Sequence, residues 1–595
     1  MYVVLAWFAR RPAGRRDHAA RAAAAVDAVA PPSYRSDARG DATWGLYVRS
    51  APRPGPWPAF ASADGVTAVS LGLPIGLDTT GGPVGLARRV LAGADPAAGV
   101  LPPFGLIAAG PDGAVTVAQD WLGMSRLFTA EHDGVVAFAS RPSLLAGFLY
   151  GRTEPDPDAW ESYAASGHFG ADSAPVRGVR LLAPGARYCL LPGTAGWRLT
   201  RRTGRTVDDL VAAGLDRRGD PDRAVAAAAD GIAAAAAATH DLCGGDLLLG
   251  LSGGKDSRVL AAAFVGGGRL PRLRTNADTP AEGATAERLV ALLRGRGLDP
   301  AHELVTAAAP AAVLRVGLRE RGVRLLRHYD HQFPSTYLVR PAVAGVPGDG
   351  PPRLSLTGAG GELATGYWYP TEPDLLGDRL AVERAIAARH LGAAGAGLAR
   401  PARERQRDRL AGLLRHAADL GVAGADLADY VYLTERMRRW STSAYAPGMV
   451  TPFLAPAVVT ACFALPPALK LARRLHTAVV ARFVPEWADV PYVSVGTGRS
   501  TAARIWQGDG AATIRGLLAA AADAPLAAPV RPDAVRTELA RYQWRRRTRD
   551  DATRQFVYLA LADRALRGGP PVVRQRDWAA LDRLRGGWVL ATGRR

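Results

Sequence analysis

The chain has 595 residues, 48% of them hydrophobic and 22% charged, a composition that builds a sizeable globular core and excludes disorder as the main state. Its length allows two large domains or up to about four ordinary ones, and three cysteines (Cys189, Cys243 and Cys462) exclude a disulfide scaffold and point to a reducing compartment. Lys and Arg total 74 against 55 Asp and Glu, a net charge of +19, which favours acidic partners.

Only Lys255 and Lys470 are lysines, so arginine-rich coding by itself accounts for much of the charge. No run of ~18 strongly apolar residues marks a membrane span. The opening MYVVLAWFARRPAGRR sets its apolar stretch before its charges, the reverse of a secretory signal, so a cytoplasmic protein is expected.

In chain order, VVLAWFAR, ATWGLYV, GVTAVSLG, FGLIAAG, AVTVAQD, GVVAFAS and ARYCLLPG are short apolar or alternating segments punctuated by Gly, Pro and Asp. They predict strands. SLLAGFLYG and DAWESYAASGHF predict short helices, giving a layered antiparallel domain over 1–205. The polar stretch around 203–222 reads as a linker to a second domain, 206–595.

That second domain begins with the alanine-rich helix AVAAAADGIAAAAAATH and the continuous apolar strand DLLLGL, as a strand buried on both faces requires. The helix SRVLAAAFVGG, a strand at LRTNA, the helix ATAERLVALLRGRG and a strand at RLSLTGAGG follow, and the alternation predicts a parallel α/β sheet. Beyond about 375 the pattern is mainly helical. The run Arg545, Arg546, Arg547 and Arg549, beside Trp544 and Tyr542, reads as a solvated helix face. No nucleic-acid motif accompanies it, so nucleic acid is not an expected partner.

Leu251, Ser252, Gly253, Gly254, Lys255, Asp256 and Ser257 lie between a buried strand and a helix start, where free backbone N–H groups and the helix dipole attract an anion. The glycines admit a phosphate closely and the serines add donors. Asp256 has the wrong sign for a phosphate contact, and a Mg²⁺ ion between the two resolves the conflict. The pattern is not the Walker loop; SGG-x-DS matches the pyrophosphate loop of AMP-forming ATP pyrophosphatases. A second glycine loop, Thr357-Gly358-Ala359-Gly360-Gly361-Glu362, follows another apolar strand about 100 residues downstream, and Glu362 is the candidate second metal carboxylate. Thr275, Thr357, Gly358 and Gly360 complete the candidate ATP-binding set.

The two loops in this order, behind a β-rich first half, resemble the asparagine synthetase family over most of the chain. FGLIAAGPDGAVTVAQDWLGMSRLF, VVAFASRPSLLAG and GHFGADSAPVRGVRLLAPG resemble its glutaminase domain, and Thr451-Pro452-Phe453-Leu454 with Leu465-Pro466 resembles its PFLD…LP stretch, with Ala455 in place of Asp. The resemblance implies a glutaminase-like (Ntn-type) layered domain and an α/β ATP-pyrophosphatase domain with extra helices. The family's nucleophilic cysteine is absent: position 2 is Tyr2. No ammonia release from glutamine is therefore expected, and the amine must belong to a substrate.

Lys255-Asp256-Ser257-Arg258, the run Glu435–Trp440, and Leu475-His476…Pro485-Glu486…Val490-Pro491 resemble actinobacterial lasso-peptide cyclases. What this implies is ATP- and Mg²⁺-dependent macrolactam closure on a precursor core peptide. A leader-recognition protein and a leader peptidase are the further partners it implies. Small-molecule lactam synthesis and RNA modification are the competing readings. The family's late lysine is missing from PEWADVPYVSVGTGRS; Arg499 is the nearest cation, and Lys470 reads either as catalytic or as a solvated lysine after a helix break. Tyr367, Arg438, His328 and His331 are candidate substrate contacts, with a structural role as the alternative for the histidines and for the helix carrying Arg438.

Overall fold

The computed structural model describes residues 2–9, 17–52, 55–194, 196–245, 247–277, 280–305, 317–339, 354–392, 397–441, 444–445, 448–493, 505–543 and 550–568. Among these residues the fold is α/β, with three sheets. Its first half holds two six-stranded antiparallel sheets. One has the order β10-β8-β9-β1-β3-β2, from β1 (Tyr2–Ala9), β2 (Arg35–Gly40), β3 (Trp44–Ser50), β8 (Phe128–His132), β9 (Val135–Ala139) and β10 (Arg180–Leu181). The other has the order β12-β11-β7-β6-β5-β4, from β4 (Phe60–Ala63), β5 (Val66–Gly72), β6 (Phe104–Ala109), β7 (Val115–Gln119), β11 (Ala186–Leu191) and β12 (Arg198–Thr203).

The pleat of β1 shows how the layers form. Val4, Ala6 and Phe8 face the second sheet, while Val3, Leu5 and Trp7 face α1 (His18–Val29) and α3 (Pro142–Tyr150). Both faces are buried, so the strand is continuously apolar. The edge strands RSDARG and RLTRRT carry the charges that discourage edge pairing, and they lack the apolar alternation that reveals a strand. On the outer face of the second sheet lies α2 (Gly82–Leu91), and α4 (Pro157–Ser166) packs towards the second half.

The expected linker is corrected. Its core is a helix, α5 (Val207–Leu215), started by a reciprocal capping box in which Thr206 and Asp209 satisfy each other's backbone N–H groups. Val207, Leu210 and Val211 are buried, so the segment packs rather than tethers.

In the second half, α6 (Pro221–Leu242) leads into a five-stranded sheet of order β15-β14-β13-β16-β17. Its strands are β13 (Leu248–Gly250), β14 (Arg272–Asn276), β15 (His302–Val305), β16 (Ser355–Leu356) and β17 (Met449–Val450), and every adjacent pair is parallel. The helices α7 (Lys255–Gly266) and α8 (Pro280–Gly295) are its first crossovers. The strands step outward one way from β13 and the other way from β16, so the topology reverses between these two neighbours. Such a switch point opens a crevice at the carboxyl ends of the strands, where ligands of open α/β sheets bind. Among the described residues no helix is long and apolar enough to cross a membrane.

Candidate functional site

Both glycine loops leave the sheet at the switch point, one from β13 and one from β16, strands paired through Leu248–Ser355 and Leu249–Leu356. In the first, Ser252 and Ser257 close the loop. Their hydroxyls lie 2.8 Å apart, the Ser252 N–H donates to Ser257 Oγ at 3.1 Å, and the Gly254 N–H donates to Ser252 Oγ at 3.1 Å. Helix α7 starts at Lys255 with no side-chain cap, which leaves its first N–H groups for an anion. Leu251 is buried beneath the loop. Thr275, also buried, donates its hydroxyl to the Leu251 carbonyl at 2.7 Å; it props the loop from below rather than lining it.

Asp256 sits in the first turn of α7 with its side chain 25% exposed, and the second loop is moulded around it. A Cβ on Gly358 would come within 2.6 Å of the Asp256 Cβ, and one on Gly361 would overlap the carboxylate itself. Only glycine permits this approach. Gly360 adopts φ +92°, a left-handed conformation. Glu362 lies in a short 3-10 turn, Gly361–Thr365, where its Oε2 accepts the Gly360 N–H at 2.9 Å. The Thr357 hydroxyl accepts the Ala359 N–H at 3.3 Å.

Three later segments close on the loops. His476, wholly buried on the helix Arg474–Phe483, holds Asp256 Oδ1 through Nε2 at 2.7 Å and stacks on Phe453, ring centroids 5.6 Å apart. Val493 donates its N–H to the Gly253 carbonyl at 2.9 Å. Arg258, buried one turn into α7, donates to the carbonyls of Trp487, Val490 and Pro491 and lies over the Tyr492 ring, pinning 487–493 across the first loop. Tyr432 is buried beside Glu362; burial, and then that carboxylate, push its phenol well above the ordinary range. Tyr367, 47% exposed, packs edge-on to Tyr432 at 6.3 Å and carries Arg389 over its face at 5.6 Å. His476 and Tyr432 were missed as site residues. His476 stands in a segment quoted only for its resemblance, and no local pattern ties it to Asp256.

The remaining candidates lie elsewhere. Lys470 is neither solvated nor open to a substrate. It is 0% exposed, and its Nζ donates to Asp426 Oδ1 and Asp429 Oδ2, both at 2.6 Å. Tyr369 and Arg218 complete that cluster. Arg438 is likewise corrected. It is buried in a π-helical segment, Tyr432–Trp440, where it pairs with Asp172 and donates to the Gly123 carbonyl at 3.2 Å. Its neighbour Glu435 accepts the Ala171 N–H. The run that suggested a substrate helix is a bolt between the two halves. His328 and His331 are buried in the wall between the halves rather than at the loops, and burial pushes His331 down to about 4. Arg499 and the arginine run 545–549 lie outside the described residues.

Among the described residues no group of three or more His, Cys, Asp or Glu side chains is arranged to hold a metal. Mg²⁺ needs only one or two carboxylates when phosphates and water complete its shell. Asp256 suits that role: among the described residues its Oδ2 has only the Lys255 ammonium as an ion-pair partner, at 3.9 Å. Chemically, the two loops bring serine and backbone donors and Lys255 beside the Asp256 carboxylate, with Glu362 in the turn that follows the second loop. No protein-family model matches the chain, and no curated protein matches it either.

Proposed function

We propose that the protein is an ATP-dependent, AMP-forming amide synthetase that closes a macrolactam on a precursor peptide, its first half a glutaminase-like Ntn-type domain without its nucleophile and its second an ATP-pyrophosphatase domain. The observation that carries this reading is the meeting of two glycine loops around Asp256 at the switch point of a parallel sheet. A peptide carboxylate attacks the α-phosphorus of ATP and pyrophosphate leaves; the peptide's N-terminal amine then attacks the acyl-adenylate and AMP leaves. Ser252, Ser257 and the first N–H groups of α7 take up the pyrophosphate charge as it develops. Asp256 and Glu362 would hold Mg²⁺, which neutralises phosphate charge when bound. The protein's larger contribution is holding the folded peptide with amine and carboxyl together, and the exposed Tyr367 and Arg389 at the mouth support an acceptor larger than a metabolite.

Tyr2 supports an amine drawn from substrate. Burial pushes its phenol up to about 12, so at neutral pH it stays protonated and is no substitute for a thiolate. With ATP, Mg²⁺ and a candidate core peptide, AMP and pyrophosphate should appear in equal amounts beside a peptide lighter by one water. Formation of ADP, or AMP release indifferent to the peptide, would sink the proposal. Glutamine should release no ammonia in the same assay.

A further inference from the structure

A second cavity, of about 420 Å³, lies between the halves, away from the glycine loops. Tyr2, Trp57, Leu71 and Arg126 line it from the first half, and Gln332 and Tyr445 from the second. Its volume falls in the range of small-molecule sites, and its wall is mostly apolar and aromatic.

The charges around it do not balance. Arg141 has Asp330, at 4.0 Å, and Arg35 is accompanied by Asp37 on the same edge strand. Arg126 has no carboxylate within ion-pair distance among the described residues. It makes long hydrogen bonds to the Arg438 and Arg439 carbonyls at 3.4 and 3.3 Å and lies 4.2 Å over the Tyr445 ring. Asp120, in the turn just before Arg126, is already saturated: its carboxylate accepts the N–H groups of Phe104, Leu122, Met124 and Ser125 at 2.9–3.0 Å. Asp120 thereby fixes the turn that presents Arg126 and spends its own hydrogen-bonding capacity on the backbone rather than on an ion pair with it. Behind it lies a second buried guanidinium, Arg439, which donates to the carbonyls of Phe169 and Ser173. Gln332, 3% exposed, has an Oε1 with no donor among the described residues. An apolar chamber with an uncompensated guanidinium and an empty acceptor lacks an anion and a donor.

We propose that this cavity binds an aromatic monocarboxylate carrying an N–H or O–H donor, its carboxylate on Arg126, its donor on Gln332 and its ring against Trp57. The site draws on both halves and is independent of the adenylation reading. The test is calorimetry on the full-length protein with indole-3-acetate and its neutral twin, indole-3-acetamide. A charge-assisted contact should favour the acid by about 10- to 100-fold, and Arg126→Gln should level the two, while Arg88→Gln on the surface should not. If Arg126→Gln fails to fold, the acid–amide ratio on the unaltered protein still decides. Equal affinity for acid and amide, no binding of the acid at about 1 mM, or tighter binding of glutamine than of the acid would each overturn the assignment.

Discussion

Two carboxylate clusters of the second half have opposite fates. Asp426 and Asp429 face Lys470, Arg218 and Tyr369 in the interior, and the three core members Asp426, Asp429 and Lys470 are at most 3% exposed. Each charge there is answered by another from the chain. Asp256 sits between the two glycine loops, 25% exposed, with His476 on one oxygen and, among the described residues, only Lys255 near the other, at 3.9 Å. A closed cluster holds helices together, whereas an open one leaves its charge for a ligand. Charged residues alone do not distinguish the two; the difference lies in whether partners converge from elsewhere in the chain.

The largest effect should come from breaking the closed cluster. Lys470→Met leaves buried Asp429 without a cation and Asp426 with Arg218 alone, and should cost about 3–5 kcal/mol of stability, measured by urea unfolding. A loss under about 1 kcal/mol would show that the cluster is not sealed.

Asp256→Ala should lower peptide-dependent AMP formation by about 10²–10³-fold with little change in thermal midpoint, because the side chain is partly solvated. A large loss of stability instead would put Asp256 in the same class as Asp429. His476→Ala, removing the group that orients Asp256, should cost about 10–100-fold. The informative readout is the Mg²⁺ concentration giving half-maximal activity, which should rise, and His476→Asn should restore part of it.

The smallest effect tests burial itself. Burial holds His331 and His390 down at about 4, and His168 well below its ordinary value. The unfolded chain takes up protons on these histidines below about pH 6.5 and the folded chain does not. Their contribution to stability is therefore complete above about pH 6.5 and is lost as pH falls towards 4, by about 1.4 kcal/mol per pH unit for each histidine. His390→Phe should flatten the slope between pH 6.5 and 5 by one such share; an unchanged slope would mean that His390 is solvated.

Much of the architecture was legible locally. A strand buried on both faces is continuously apolar, so β1 announces itself; β13 is apolar too, although only Leu249 of it is buried, and the glycines of 251–257 and 357–362 betray backbone that must approach something closely. The edge strands β2 and β12 were hidden because their charges serve solvent rather than packing. The segment 203–222 read as a linker because polarity outweighed its Thr206–Asp209 capping box. Lys470 and Arg438 were misjudged for one shared reason: their counter-ions lie 41 and 266 residues away.

The sequence by itself determined the local chemistry of this protein: where the chain turns tightly, which strands are buried on both sides, and that a serine–glycine loop with an aspartate opens a helix. Tertiary structure alone decided that the two loops meet around Asp256, that His476 holds that residue, that Lys470 is sealed and that Arg126 has no carboxylate within ion-pair distance among the described residues. The physical reason is that a backbone conformation depends on its own residue and immediate neighbours, whereas desolvation and charge compensation depend on groups that only folding brings within a few ångströms.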